Sequence, residues 1–182
     1  MKKTAPDKRT IPVLFTAAEI KERIEALAAE IAAKVGYDFL IVSLLRGSFM
    51  FTADLVRELY AIGVHPQIDF MTLQSYGHGT QSSGQVQVGR ELTEDVKDKT
   101  ILIVDDILEN GRTLQYAYAL LKERGAAQIF SALLLEKPGK LEAGAKADFV
   151  GFSIPDKFVV GYGLDYANHY RELPFIGYLD VH

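Results

Sequence analysis

One stretch of the chain constrains the fold more than any other: an apolar run that ends in two adjacent acids and a glycine-containing loop. Ile101 to Val104 are four apolar residues, three of them β-branched, which is typical of a buried strand. Asp105 and Asp106 follow directly, and a helix is predicted to begin near Thr113. Parallel strands present their carboxyl ends to ligands, and a helix start offers backbone N–H groups to an anion. The stretch therefore predicts a site with carboxylates beside a phosphate cradle, which suits a sugar phosphate and a metal ion.

Predicted strands and helices alternate along most of the chain. Thr16 and Glu19 have the spacing of a capping box, and apolar residues follow at helical spacing: Ile20, Ile24, Leu27, Ile31 and Val35. Further elements are predicted as strand 39–45, helix 49–62, strands 68–76 and 85–88, helix 113–124 and strand 129–135. This order predicts an α/β fold with an open, mainly parallel sheet flanked by helices. Past Lys137, short strands near 149–152 and 158–160 predict a small C-terminal hood.

Length and composition narrow the class of protein. The 182 residues fit a single domain, 1–182, with a core at about 10–135 and the hood at about 136–182. A net charge of −4 argues against a nucleic-acid surface. The chain has no cysteine, no run approaching a membrane span, and no apolar segment after its basic first residues. We therefore expect a cytoplasmic protein with neither nucleic-acid nor membrane partners.

Four motifs, in family order, resemble those of one enzyme family. Residues 105–113 resemble the phosphoribosyl diphosphate (PRPP) signature of type I phosphoribosyltransferases, and residues 45–48 resemble their pyrophosphate loop. Ser75 and Tyr76 open a glycine-rich loop as in that family, and residues 149–166 resemble its purine-binding segment. Over roughly residues 10–180, the chain is identified as a member of the hypoxanthine-guanine phosphoribosyltransferases.

The resemblance implies a type I phosphoribosyltransferase fold and a purine salvage reaction. A 6-oxopurine and PRPP would react with Mg²⁺ as cofactor, giving IMP or GMP and pyrophosphate. Members of the family assemble as dimers or tetramers, so a homodimer or homotetramer is expected.

The resemblance also places PRPP over the acidic strand end and the loop after it. Ribose and 5′-phosphate binding falls to Asp105, Asp106, Glu109, Asn110, Gly111, Arg112 and Thr113. The side chains of Asn110 and Thr113 are expected to bond the phosphate, whereas that of Arg112 is expected to point to solvent. Because side chains alternate along a strand, only one of the paired acids is expected to reach the ligand directly. Metal binding is assigned to Asp105, Asp106 and Asp165.

Pyrophosphate would be held by backbone amides of Arg46 and Gly47, after a cis peptide that is typical of the family, and by Arg171. The loop opened by Ser75 and Tyr76 would close over the site to exclude water. The alternative is that this glycine-rich segment is an ordinary surface hairpin tip.

The purine pocket implied by the resemblance combines an aromatic floor with one polar discriminator. Phe158 would stack on the base, the Val159 backbone would bond its edge, and Asp165 would lie near its 2-position. Ile107 and Leu164 would form apolar walls. Lys137 would donate to the purine O6; because an ammonium has no acceptor, it would discriminate against a 6-amino group by roughly 10⁴.

Glu109 departs from the family pattern, where aspartate stands at this position. We expect Glu109 to be the catalytic base that takes the proton from purine N7, with its extra methylene accommodated by the loop. The alternative is a solvated loop acid.

Two rival functions remain open at this point. One is an enzyme that prefers xanthine or adenine, which a competition assay among purines would reveal. The other is a non-catalytic regulator on the same fold, such as an RNA-binding attenuator. A regulator of that kind predicts a basic face and a degraded purine pocket, whereas the net charge is −4 and residues 158–165 keep the family pattern.

Overall fold

The computed structural model describes residues 11–76, 85–142 and 144–180, with side chains left undescribed at 74–76 and 85–87. Within these ranges the chain forms helices, strands and one short 3₁₀ turn, Pro138–Lys140. In chain order the elements are β1 (Val13–Phe15), α1 (Ala17–Val35), β2 (Leu40–Leu45), α2 (Phe49–Ala61), β3 (Gln67–Tyr76), β4 (Gln85–Arg90), β5 (Thr100–Leu108), α3 (Arg112–Glu123), β6 (Gln128–Glu136), β7 (Phe149–Ser153), β8 (Phe158–Val160) and β9 (Ile176–Leu179). The predicted loop at 77–84 lies outside the described residues.

The main sheet has six strands in the order β4-β3-β2-β5-β6-β7. All neighbouring pairs are parallel except β3 and β4, which are antiparallel. This arrangement confirms the predicted α/β fold with an open, mainly parallel sheet. Because β2 and β5 are adjacent and parallel, the loops that follow them leave the same edge of the sheet.

Local signals set the ends of α1. The Thr16 hydroxyl accepts from the Glu19 amide, and the Glu19 carboxylate accepts from the Thr16 amide at 2.8 Å, which confirms the capping box. The helix ends at Gly36, whose φ of +94° suits a residue without a Cβ. Of the helices in the described residues, none has the length and apolarity needed to cross a membrane.

The helices cover both faces of the main sheet. Along β5, Leu102 and Val104 join the core formed with α1 and α2, while Ile101 and Ile103 join the core formed with α3. All four are fully buried. This alternation explains why the strand is apolar throughout, since each of its faces packs against a helix layer.

The hood differs from the prediction in its strands and its boundary. It is a three-stranded antiparallel sheet, β1-β9-β8, so it recruits an N-terminal strand. The segment 149–152, predicted as part of the hood, instead forms β7, which pairs in parallel with β6 and buries Phe149. The boundary near residue 136 is therefore too early. β7 provides a hydrogen-bonding partner for β6, and Arg23 of α1 donates to the carbonyls of Val150 and Gly151.

Candidate active site

A cavity of about 290 Å³ opens where β2 and β5 end. Its lining brings together most of the residues predicted to bind PRPP and pyrophosphate: Arg46, Gly47, Asp105, Asp106, Glu109, Asn110, Gly111 and Thr113. Ile107, predicted as a wall of the purine pocket, lines it as well. The remaining wall is apolar, with Leu44, Leu45, Leu73, Leu108 and Leu114. The parallel register of the two strands thus joins two loops that are far apart in sequence.

Both residues of the acid pair line this cavity. The expectation that only one of them reaches the ligand directly stays a prediction. Each carboxylate turns towards the next backbone amide: Asp105 accepts from the Asp106 N–H at 2.9 Å, and Asp106 accepts from the Ile107 N–H at 2.8 Å. Burial raises the pKa of Asp105 well above its ordinary value, and the charge of Asp106 adds to the rise. Burial also raises the pKa of Asp106, although hydrogen bonds and the Arg171 charge oppose it.

The two buried acids bring carboxyl oxygens together, and such oxygens are suitable ligands for a hard cation or hydrogen-bond acceptors for a sugar diol. Burial raises the pKa values of both acids, and the positive charge of a bound cation would lower them again. Across the residues the structure describes, three or more acid, histidine or cysteine side chains nowhere converge as a metal cluster. A Mg²⁺ ion here would therefore take further oxygen ligands from substrate or water.

Asp105→Asn is expected to raise the thermal unfolding midpoint at neutral pH in Mg²⁺-free buffer. Because the pKa of Asp105 is higher folded than unfolded, the folded state binds more protons between those two pKa values. Stability is therefore lost as pH rises through that window, and the amide removes this loss. Differential scanning fluorimetry at pH 4 and pH 7.5 measures the effect, with exposed Asp38→Asn as control. A gain that is absent at pH 7.5, or larger at pH 4, contradicts this reasoning.

The pyrophosphate loop lies against the acid pair. The peptide between Leu45 and Arg46 is cis, as the resemblance implied. A Cβ on Gly47 would overlap the Asp106 carboxylate, so the loop backbone and this acid are in direct contact. Beneath the loop, the buried Ser43 hydroxyl bonds those of Ser48 at 2.9 Å and Thr52 at 2.7 Å. This hydroxyl cluster ties the loop to β2 and α2.

The loop 109–111, predicted to hold the 5′-phosphate and called the phosphate loop below, ends in a glycine rather than in a side-chain cap. Helix α3 begins at Arg112, one residue before the predicted start, and its N-cap Gly111 has φ +86°. A Cβ on Gly111 would also overlap the side chain of Ala145. The Asn110 side chain accepts from the Arg112 amide at 3.0 Å, so in this structure it shapes the turn. The Arg112 side chain points outwards, as expected, and pairs with Glu142 at 2.6 Å.

Glu109 is held by two lysines. Its Oε1 lies 3.2 Å from the Nζ of Lys137 and 2.9 Å from that of Lys140. Burial raises the pKa of Glu109, but hydrogen bonds from Lys140 and Lys137 outweigh it and leave the pKa below its ordinary value. Lys137 follows β6, as predicted, and its side chain is buried. Glu109 is therefore a carboxylate at neutral pH, able to accept a proton.

Four of the predicted purine residues, Phe158, Val159, Leu164 and Asp165, lie in or next to the hood, whereas Ile107 is on β5 and Lys137 follows β6. Phe158 is 42% exposed and meets Tyr166 edge to face at 5.6 Å, so part of its aromatic surface is accessible to a ligand. Val159 and Leu164 are buried. Phe158 belongs to β8 and is an exposed aromatic residue rather than a member of the core.

The hood is fastened to the core around the pyrophosphate loop. Asp165 pairs with Arg171 at 2.8 Å, and Arg171 donates to the Gly163 carbonyl at 2.6 Å. A Cβ on Gly163 would overlap the carbonyl of Gly47, and the Tyr162 hydroxyl donates to Asp54 of α2. Asp165 thus lies with Arg171 rather than in the acid pair.

Two charged residues next to the site were not predicted from the sequence. Lys140 and its partner Asp156 were not predicted, and the only available signal was a second lysine three residues after Lys137. The backbones of Ser75 and Tyr76 form the end of β3, as expected, while their predicted loop falls outside the described residues.

Comparisons with known proteins agree with this geometry. The family model described as a phosphoribosyl transferase domain matches residues 14–167. Hypoxanthine phosphoribosyltransferase of Escherichia coli K12 is 45% identical over 173 residues, covering 93% of this chain and 96% of the relative. Hypoxanthine-guanine phosphoribosyltransferase of Bacillus subtilis 168 is 44% identical, covering 92% of each. A crystal structure of a Staphylococcus aureus hypoxanthine phosphoribosyltransferase superimposes with a TM-score of 0.86 at 39% identity, covering 95% of this chain and 96% of that one. The chain therefore belongs to the phosphoribosyltransferase family.

Proposed function

We propose that this chain is a purine salvage enzyme that transfers the 5-phosphoribosyl group of PRPP to hypoxanthine or guanine, giving IMP or GMP and pyrophosphate. The main support is the cavity in which the acid pair, the pyrophosphate loop and the phosphate loop meet. Glu109 lines this cavity and is joined to Lys137 by an ion pair. The names of the E. coli and B. subtilis relatives supply the choice of purine.

PRPP would bind by its three parts to three groups of residues. The amides of the Gly111 turn and the start of α3, with Thr113, would take the 5′-phosphate. Asp105 and Asp106 would accept hydrogen bonds from the ribose hydroxyls. The Arg46 and Gly47 amides, with Arg171, would hold the pyrophosphate. Both loops line the same cavity as the acid pair, which supports this division.

Mg²⁺ is proposed as the cofactor, held by Asp105, Asp106 and, near the hood, Asp165. The chemistry that it supplies when bound is neutralisation of charge on the departing pyrophosphate. The oxygen-only donor set and the buried acid pair fit this ion. Release of Asp165 from Arg171 would free that carboxylate for a ligand.

The transfer itself needs one proton acceptor. The C1′–O bond of PRPP breaks with its electron pair leaving on pyrophosphate, and the lone pair of purine N9 forms the new bond to C1′. The proton on N7 passes to the Glu109 carboxylate. Lys137 donates to O6, which orients the base and gives no acceptor for the amino group of adenine.

Steady-state turnover with PRPP, Mg²⁺ and each of four purines tests this proposal. We expect nucleotide and pyrophosphate from hypoxanthine and guanine, and at least a roughly 10⁴-fold lower kcat/KM with adenine. A clear preference for xanthine would favour the alternative enzyme. Absence of turnover with every purine would favour a non-catalytic regulator and overturn the proposal.

The assembly and location expected from the family are part of the same proposal. We infer a homodimer or homotetramer that works in the cytoplasm. Light scattering over a range of protein concentrations separates these assemblies, and a monomer at all concentrations would contradict them.

A further inference from the structure

The proposed base, Glu109, belongs to a cluster of four charged side chains that also contains Lys137, Lys140 and Asp156. Lys140 lies 2.9 Å from Glu109 and 2.7 Å from Asp156, so it bridges the two acids. Lys137 makes the longer contacts, 3.2 Å to Glu109 and 3.5 Å to Asp156. The two lysines thus compete for one carboxylate oxygen, and Lys140 is the nearer.

The two lysines differ in what else they can do. The Lys137 side chain is 8% exposed and has the proposed role of donor to the purine O6. The Lys140 side chain is 41% exposed, lies on the turn Pro138–Lys140, and is anchored on its far side by Asp156. When a purine draws the Lys137 ammonium towards O6, Lys140 remains to hold Glu109. Its second partner keeps it from following the ligand.

A glutamate at this position has particular need of such a partner. Compared with aspartate, it has one more rotatable bond, and each free rotor of a side chain costs entropy to fix. Proton transfer requires hydrogen-bond distance, so an unfixed carboxylate spends less time within reach of N7. The Lys140–Asp156 pair restricts this freedom from outside the purine pocket.

We propose that Lys140 is the positioning residue of Glu109, fixing its carboxylate for proton transfer while Asp156 anchors Lys140. The inference rests on the proposed function and names a residue that the reaction scheme above does not use. The charged groups that face Glu109 are Lys137, from the end of β6, and Lys140, from the 3₁₀ turn. Asp156, before β8, faces both lysines.

Lys140→Ala tests the inference by kinetics. We expect kcat with hypoxanthine to fall about twofold to fivefold, as loss of one member of a partly exposed charge network implies, with little change in the KM for PRPP. The acid limb of the kcat–pH profile should move to higher pH, because Glu109 loses a donor that lowers its pKa. Lys140→Arg, which keeps the positive charge, should have nearly the native kcat and the native acid limb. Exposed Lys122→Ala, on α3, is the matched control.

Two further variants separate positioning from a general loss of structure. In a Glu109→Ala background, Lys140→Ala should cause no additional loss of kcat, since its effect passes through Glu109. Asp156→Asn should reproduce part of the Lys140→Ala defect. The inference is overturned if Lys140→Ala leaves kcat and the acid limb unchanged, or lowers kcat equally with and without Glu109. Failure of the proposed function would look different, because the native chain itself would then show no transfer.

Discussion

Glu109→Ala is expected to lower kcat for transfer to hypoxanthine by about 100- to 10,000-fold, the usual contribution of a positioned general base. The carboxylate lies among Lys137 and Lys140, which keep it ionised, and it lines the cavity next to the phosphate loop. Without it, the N7 proton has only water as acceptor. Stopped or steady-state assays of pyrophosphate release, with PRPP saturating, measure the loss.

Two substitutions at the same position show whether the carboxylate or its length matters. Glu109→Gln preserves shape and removes basicity, so it should be as inactive as the alanine variant. Glu109→Asp should retain most of the activity, since aspartate is the residue that the family pattern has here. Glu123→Ala, an exposed acid at the end of α3, serves as control. A Glu109→Ala enzyme within threefold of the native kcat would remove this residue from the mechanism.

Gly47→Ala is expected to lower kcat/KM for PRPP by about 100-fold or more, the cost of misplacing reacting groups by roughly 1 Å. The new methyl group would overlap the Asp106 carboxylate, so either the pyrophosphate loop or the acid must move. Because both are proposed to bind PRPP, movement of either one would weaken the binding of this substrate. Titration of PRPP at saturating hypoxanthine measures the change.

Gly139→Ala is the matched control for this substitution. Its Cβ would meet no atom within 4 Å, so the change adds a methyl group without a clash. We expect it to keep the native KM for PRPP. If Gly47→Ala binds PRPP as well as Gly139→Ala does, the contact between loop and acid has no part in substrate binding.

Much of this architecture is predictable from local patterns. The capping box at Thr16, the apolar run before Asp105 and the order of strands and helices depend on residues close in sequence, and the structure confirms them. The expected cis peptide before Arg46 came from the family resemblance rather than from any physical pattern.

Features that depend on distant pairing escaped prediction. β1 has only three residues, which is too short for an alternating pattern to indicate a strand, and it forms by pairing with β9. β7 was predicted to lie in the hood but pairs with β6 in the main sheet. The pattern of a short apolar strand does not indicate which of the two sheets it joins. The Lys140–Asp156 contact likewise joins two turns whose approach only the folded chain reveals.

The pairing of Val13 with Gly177 has a consequence for biosynthesis. The last strand of the main sheet ends at Ser153, so a nascent chain carries every strand of that sheet before β9 leaves the ribosome. Closing the loop between the first and last strands is the slow, entropically costly contact. The half that would bind the pentose can therefore assemble during translation, whereas the half that would receive the nucleobase must wait until β9 has been synthesised.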